Sequence, residues 1–278
     1  MFRCPLIILL VFTMGNAMGQ GPKWKKWEVA ADTLMNHQDF EGAIKLYSKA
    51  IKSSRLQDKP AYSMLYKRAV CYYSTRQFDA SLQDIEVFME EYPNLFQAHL
   101  LKAFVYRETN DAAGQLKALN GALSLHPGDP GLVKWRSSLY LGEGKYEEAK
   151  EGLHFVRAVQ DDPEVEMSLG FAYYNLEQVD SAFVSINKAI ELEPTYLPAY
   201  LYGGSFGLQE GNNELALKYL EVALRLDPEN LNALFYKGIA LLELDRVDEG
   251  CSLLAKAFYA GEDDAGDYLK EKCYTLTK

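Results

Sequence analysis

The chain is expected to fold as an all-α solenoid of about seven helical hairpins closed by a C-terminal capping helix. Three observations lead there. Pro93 and Pro127 lie 34 residues apart, and so do Pro194 and Pro228, the second pair after the similar runs AIELEP and ALRLDP. Small and large residues fall into fixed columns once the chain is aligned on those prolines. Apolar residues in each half-unit follow helical spacing, broken at the midpoints by pairs such as Asn110-Asp111, Gly144-Lys145 and Gly211-Asn212. One hairpin cannot bury its own apolar face, so neighbours must stack, and much of the stability lies in the interfaces between repeats.

Taken in order, the chain opens with MFRCPLIILLVFTMGNAMGQ, which lies outside the repeat. Arg3, the apolar run Leu6 to Met14 and the small residues Gly15, Ala17 and Gly19 follow the order of a secretory signal. Removal of residues 1–19 is expected, with cleavage after Ala17 as the second candidate. The apolar run is shorter than the roughly 20 residues a membrane-spanning helix needs. Cys4 precedes that run, so the lipoprotein pattern of small residues followed by cysteine is absent. An exported protein follows as the expectation, periplasmic if bacterial and otherwise extracellular, with no transmembrane span in the mature chain.

Residues 20–23 form a short leader, and the units are 24–57, 62–95, 96–129, 130–162, 163–196, 197–230 and 231–264. Asp58 to Ala61 are extra residues between the first two, the fourth unit is one residue short, and 265–278 reads as the capping helix. The eighth column holds Ala31, Ala69, Ala103, Ser137, Gly170, Gly204 and Gly238. The eleventh holds Leu34, Tyr72, Tyr106, Tyr140, Tyr173, Gly207 and Leu241, its tyrosines being expected in the core. Alanine predominates in the twentieth and twenty-seventh, with Gln115 the departure in the third unit. Small columns let paired helices approach, and the large residues between them fill the remaining gaps.

These columns resemble the tetratricopeptide repeat, W-x2-L-G-x2-Y, A-x3-F and P, matched best in 163–196 by Leu169, Gly170, Tyr173, Ala182, Ala189 and Pro194. The resemblance covers nearly all of the mature chain. It implies a right-handed superhelical array that binds a protein or peptide segment in a groove lined by the first helices. Groove positions in that family are the second, fifth, ninth and twelfth of each unit. Carried over, they give Tyr66, Tyr73, Phe104, Arg107, Lys134, Phe171, Tyr174 and Phe235 as the partner-binding residues. The implied partner is apolar or aromatic. Some family members hold a C-terminal carboxylate with lysine at the fifth position and asparagine at the ninth, a pair that no unit here has.

Composition excludes other classes. The chain is 48% hydrophobic and 24% charged with a formal net charge of −10, which becomes −11 when Arg3 leaves with the signal. Such a field disfavours nucleic acid and anionic membranes, and the brief KWKK at Lys23 to Lys26 reads as a solvated helix start. His37, His99, His126 and His154 are scattered, so neither a metal nor a cofactor is expected, and no nucleophile elbow is visible. Glu28 and Asp32, four apart on one helical face, keep open an alternative: a glycan-handling or carboxylate enzyme on a helical scaffold. A second alternative is an envelope assembly subunit, its groove filled by another copy or by its own residues 20–26. The noncatalytic interaction scaffold is the main reading.

Two local features complete the sequence. GGSFG, Gly203 to Gly207, falls by register inside a first helix, so it is no phosphate-binding loop. Each extra glycine costs about 1 kcal/mol of helix propensity, and the sixth unit is the expected weakest point of the array, with Phe183, Phe206 and Tyr219 the candidates to fill the volume. The mature chain keeps Cys71, Cys251 and Cys273. Cys71 reads as a buried thiol; Cys251 and Cys273 could form a disulfide that pins the cap, or remain two reduced thiols.

Overall fold

The computed structural model describes residues 22–54 and 59–274, the side chains of 59 and 60 excepted. The expected signal, residues 1–19, lies outside them, as do the first two residues of the leader and the last four of the cap. The described residues form consecutive helical hairpins and no strand.

Residues 22–132 make up one compact unit. Its hairpins pair α1 (Lys23–Asn36) with α2 (Phe40–Ser53), α3 (Lys59–Ser74) with α4 (Phe78–Glu91), and α5 (Phe96–Glu108) with α6 (Ala112–Leu125). The small columns lie where helices meet: Ala31, Ala43, Ala50, Ala69 and Ala103 are fully buried beside Tyr47, Met64, Ile85 and Leu101. Asp39 and Asp111 begin α2 and α6, accepting from the backbone N–H of Gly42 at 2.9 Å and of Gly114 at 2.8 Å. Three of the expected extra residues, Lys59 to Ala61, open α3.

Residues 133–274 make up the other unit. After α7 (Pro130–Gly142) come α8 (Tyr146–Arg157), α9 (Pro163–Asn175), α10 (Val179–Leu192), α11 (Leu197–Gln209), α12 (Asn213–Leu226), α13 (Leu231–Glu243) and α14 (Val247–Tyr259). The cap is α15 (Ala265–Tyr268), which continues into a π-helical turn, Leu269–Cys273. Its buried Ala265 and Leu269 pack with Leu234, Leu254 and Ala257. Cys251 and Cys273 are joined as a disulfide with their Cα atoms 5.8 Å apart, so the cap is covalently tied to α14.

Every hairpin turn places one residue in the left-handed region. Gly144 and Gly211 do so at φ 71° and 70°, as glycine does without steric cost. Gln38, Arg76, Asn110, Glu177 and Asp245 do the same at φ between 55° and 63°. At these turns the geometry of two packed helices fixes the backbone, and the residue type follows less strictly.

Candidate functional site

α11 has Pro198 in its first turn, where the missing N–H removes no helical hydrogen bond. Gly203, Gly204 and Gly207 face α12. An added Cβ would lie 2.9 Å from the Tyr219 ring at Gly203, and 3.0 Å from the Ala216 backbone nitrogen at Gly207. GGSFG is thus a stripe of close helix approach. The side chains it lacks are replaced from outside: Tyr219 stacks on Phe183 with centroids 6.3 Å apart and donates its hydroxyl to Asn187 Oδ1 at 2.8 Å. Phe206 is buried and stacks on Tyr174 at 4.0 Å. The candidates named from the sequence, Phe183, Phe206 and Tyr219, thus pack around the glycines of the sixth unit.

Glycine on one side of α11 leaves its larger residues on the other. There Leu201, Tyr202 and Ser205, with Pro198 and with Asn232 and Tyr236 of α13, line a hollow of about 270 Å³. A second hollow of about 470 Å³ shares Ser205 and Tyr236 and adds Leu208, Phe235, Ile239, Glu243 and Tyr268 among its walls. α13 is built as α11 is: its Gly238 meets Leu254 of α14 and frees the opposite side to face the hollow. Tyr268 stands edge-on to Phe235 with centroids 5.6 Å apart, held there by the tethered cap.

Of the eight groove residues expected from the sequence, Phe235 lines the second hollow. Phe171 lies edge-on to Tyr202 at 5.4 Å, so it abuts the wall of the first hollow. Tyr174 donates its hydroxyl to Glu210 at 2.9 Å; burial, then that carboxylate, pushes its phenol up to about 12. Lys134, named among the partner-binding residues, has its ammonium engaged within the fold. Its ammonium reaches Asp162 at 2.8 Å and Glu164 at 2.6 Å, so its charge is matched internally. In the unit of residues 22–132, Tyr73 stands 6.4 Å from Phe104, whose ring carries the Arg107 guanidinium at 5.0 Å. Tyr66 packs its ring on Phe88 at 5.3 Å and buries its hydroxyl, and that burial pushes the phenol up to about 12.

The eleventh-column tyrosines are half-buried rather than enclosed, and each has a cation over its ring, Lys150 over Tyr173 at 5.9 Å and, at the other three, a cation four residues earlier. Arg68 lies over Tyr72 at 5.5 Å, Lys102 over Tyr106 at 5.8 Å and Arg136 over Tyr140 at 5.9 Å. Tyr202 and Tyr236 are not among the expected groove residues, although their 34-residue separation puts both at the sixth position of a unit. Tyr268 was also missed, since the cap has no column to read.

The carboxylate pair of the enzyme alternative is saturated. Lys67 donates to Asp32 at 2.8 Å and 2.9 Å, Tyr47 donates to Asp32 at 2.5 Å, and Lys25 reaches the buried Glu28 at 2.7 Å. Burial and Asp32 push the Tyr47 phenol well above its usual range. The set is a neutralised structural cluster with no open carboxylate pair. Residues Lys23 to Lys26, offered as a groove occupant, are the first turn of α1, with Trp24 and Trp27 packed on the core. Cys71 is fully buried, which pushes its thiol up to about 12. Among the described residues no group of three or more His, Cys, Asp or Glu side chains could hold a metal, and no helix is long and apolar enough to cross a membrane.

Two family models described as tetratricopeptide repeat match residues 29–95 and 208–265 and residues 167–196, together more than half of the chain. No curated protein matches the sequence significantly. Among solved structures, the C-terminal part of a TPR repeat-containing protein from Cytophaga hutchinsonii is 18% identical with a TM-score of 0.67. That match covers 87% of this chain and 98% of the other. PilW, described as a widely conserved type IV pilus biogenesis factor, is 14% identical with a TM-score of 0.62, covering 76% of this chain and 100% of its own. YrrB, described as a TPR protein with an unusual peptide-binding site, is 21% identical with a TM-score of 0.52, covering 67% and 97%. At these identities the likeness is one of fold.

Proposed function

The chain belongs to the tetratricopeptide repeat family, and from that membership we propose a noncatalytic scaffold that holds an apolar, aromatic-bearing segment of a partner protein against α11, α13 and the cap. One observation carries the reading: the two adjoining hollows are lined at the second, fifth and ninth positions of both units by Pro198, Leu201, Ser205, Asn232, Phe235 and Ile239. These are the positions through which the family holds peptides. The peptide-binding site named for YrrB supports the same use of the fold. Tyr202, Tyr236 and Tyr268 add broad apolar area at small rotamer cost, and Ser205 and Asn232 supply hydrogen-bonding groups that can fix a bound backbone.

Site-specific photocrosslinking tests it. Benzoylphenylalanine replaces Tyr236 in one variant and Val184, 69% exposed on α10, in another. Crosslinks to a defined partner segment from position 236 and none from 184 are expected. Equal yields from both positions, or crosslinks from 184 alone, would move the function away from the hollows.

We also propose that the protein works outside the cytoplasm. The leader pattern of residues 1–19 supports this, as does a disulfide at the cap, since such bonds persist in oxidising compartments. N-terminal sequencing of the protein from fractionated cells should begin at Gln20 or Met18, and a start at Met1 in the cytoplasmic fraction would exclude it.

A further inference from the structure

We propose that the end of this groove beside the cap is a site for a cationic side chain, a lysine ammonium or an arginine guanidinium, carried by the bound segment. The inference rests on the groove reading above and adds the charge of the partner. Three aromatic side chains meet there: Phe235 lies 5.6 Å from Tyr236 and 5.6 Å from Tyr268 between centroids, and all three line the larger hollow. The same hollow is lined by Glu243.

Glu243 is exposed, in contrast to several carboxylates whose charge is matched within the packed helices. Glu28, Asp32, Asp84, Asp162 and Glu166 each lie within ion-pair distance of a lysine or arginine. Glu243 has neither an ion pair nor a hydrogen bond among the described residues, and no lysine or arginine lines either hollow. In a hollow that presents a carboxylate and aromatic rings, the carboxylate attracts a cation by charge and the rings by their quadrupole, and the same carboxylate repels an acidic segment. A formal net charge of −10 draws basic partners toward the surface before contact. The bound segment therefore combines an apolar anchor, seated toward Leu201 and Tyr202, with a basic residue at the Tyr268 end.

A phage-displayed random peptide library, selected on the intact oxidised protein, tests both layers separately. Selection on wild type should enrich apolar residues together with Lys or Arg. Selection on Glu243→Gln should keep the apolar enrichment and return Lys and Arg to library frequency. A synthetic peptide from the wild-type set should bind Glu243→Gln and Tyr268→Ala about three- to tenfold more weakly, and the Glu243→Gln difference should shrink in high salt. Apolar enrichment without Lys or Arg overturns the cation site and leaves the groove intact. Basic enrichment unchanged on Glu243→Gln, or peptide binding unchanged in both variants, overturns it too, by placing the cation elsewhere. Absence of any enrichment on wild type overturns the groove reading and the cation site together.

Discussion

Residues 22–132 and residues 133–274 repeat the same hairpin and close the space between helices by different means. In the first, charged side chains enter the packing. Arg68 of α3 makes two 2.7 Å hydrogen bonds to Asp84 of α4 and a third, of 2.9 Å, to Ser48 of α2, while Lys67 joins α3 to Asp32 of α1. In the second, glycine brings backbones together: at Gly207 an added Cβ would lie 3.0 Å from Ala216, and at Gly250 it would lie 2.8 Å from the Gly238 carbonyl oxygen. The glycine solution puts the bulk of α11 and α13 on their other side, where the hollows are. A repeat column therefore sets how much room a residue has, and the chemistry that fills that room decides which unit can hold a ligand.

The largest effect should come from breaking the charged solution. Asp84→Ala leaves the Arg68 guanidinium unpaired among half-buried groups, its side chain 17% exposed. The loss should be about 3 kcal/mol, the lower end for a broken buried pair because Arg68 keeps some contact with water. Urea unfolding followed by circular dichroism measures it. Arg68→Met combined with Asp84→Leu should restore most of the loss; equal losses in the single and double variants would show that packing, not charge, holds α3 to α4.

Next in size is the covalent tie of the second unit. Cys251 and Cys273 are 22 residues apart in sequence, and closing a loop of that length stabilises the fold by about 3 kcal/mol in the chain-entropy model. Because the cap is terminal, reduction should free part of it before the remainder unfolds, so the global cost should be smaller. Hydrogen exchange should accelerate in residues 262–274 on adding dithiothreitol and stay constant in residues 62–125. Faster exchange in both regions would deny the two units their separate means of support.

Helical hairpins were legible because proline spacing and small-residue columns record pairwise helix approach, which depends on residue size alone. Turns at Asn110, Gly144 and Gly211 were legible from residue type; those at Gln38, Arg76, Glu177 and Asp245 were not, since packing imposes the left-handed backbone there. Phe235 could be placed at the site by its position in the repeat. Tyr268 could not, because the cap follows no period and reaches the hollow only through its packing and its disulfide. The pairing of Arg68 with Asp84 escaped for a related reason: a salt bridge between helices depends on rotation and side-chain reach, which a single sequence does not show. GGSFG was legible in place, as a stretch within a first helix, while the packing of Tyr219 against Gly203 and of Phe206 on Tyr174 depends on side-chain directions that a single sequence does not show.

The glycine solution is tested at Gly207. Gly207→Val adds side chain against the backbone of α12, which cannot move aside as a side-chain tip can, and should cost about 1–3 kcal/mol. Gly142→Ala, at the end of α7 where no neighbouring atom lies within 4 Å, should instead gain up to about 1 kcal/mol of helix propensity. Thermal unfolding of both variants reads the contrast. A stabilised Gly207→Val would mean that close approach is not what glycine provides there.

The smallest effect asks whether charge also matters in the second unit, through two carboxylates with opposite responses to pH. Burial acts to raise the pKa of Asp162, but hydrogen bonds from Lys134 and from the first N–H groups of α9 overcome it and hold the carboxyl below its usual range. Its charged form therefore stabilises the fold above about pH 4, and that stabilisation disappears as pH falls through the lowered folded value. Asp162→Asn keeps the helix cap and removes the charge, so it should lower the melting temperature at pH 7 and have almost no effect near pH 2. Glu166 is the reverse case: burial outweighs Arg157 and raises its pKa, so the charged form destabilises the fold at neutral pH. That penalty is relieved as pH falls through the raised folded value, so Glu166→Gln should raise the melting temperature at pH 7 and lose its advantage near pH 3. Each change should stay below about 1 kcal/mol, since Asp162 keeps some contact with water and the Arg157 that faces the buried Glu166 is 40% exposed. Parallel pH profiles for the two variants would mean that Lys134 and Arg157 pair in geometry without contributing to stability, which would leave glycine and aromatic packing as the supports of the unit that carries the groove.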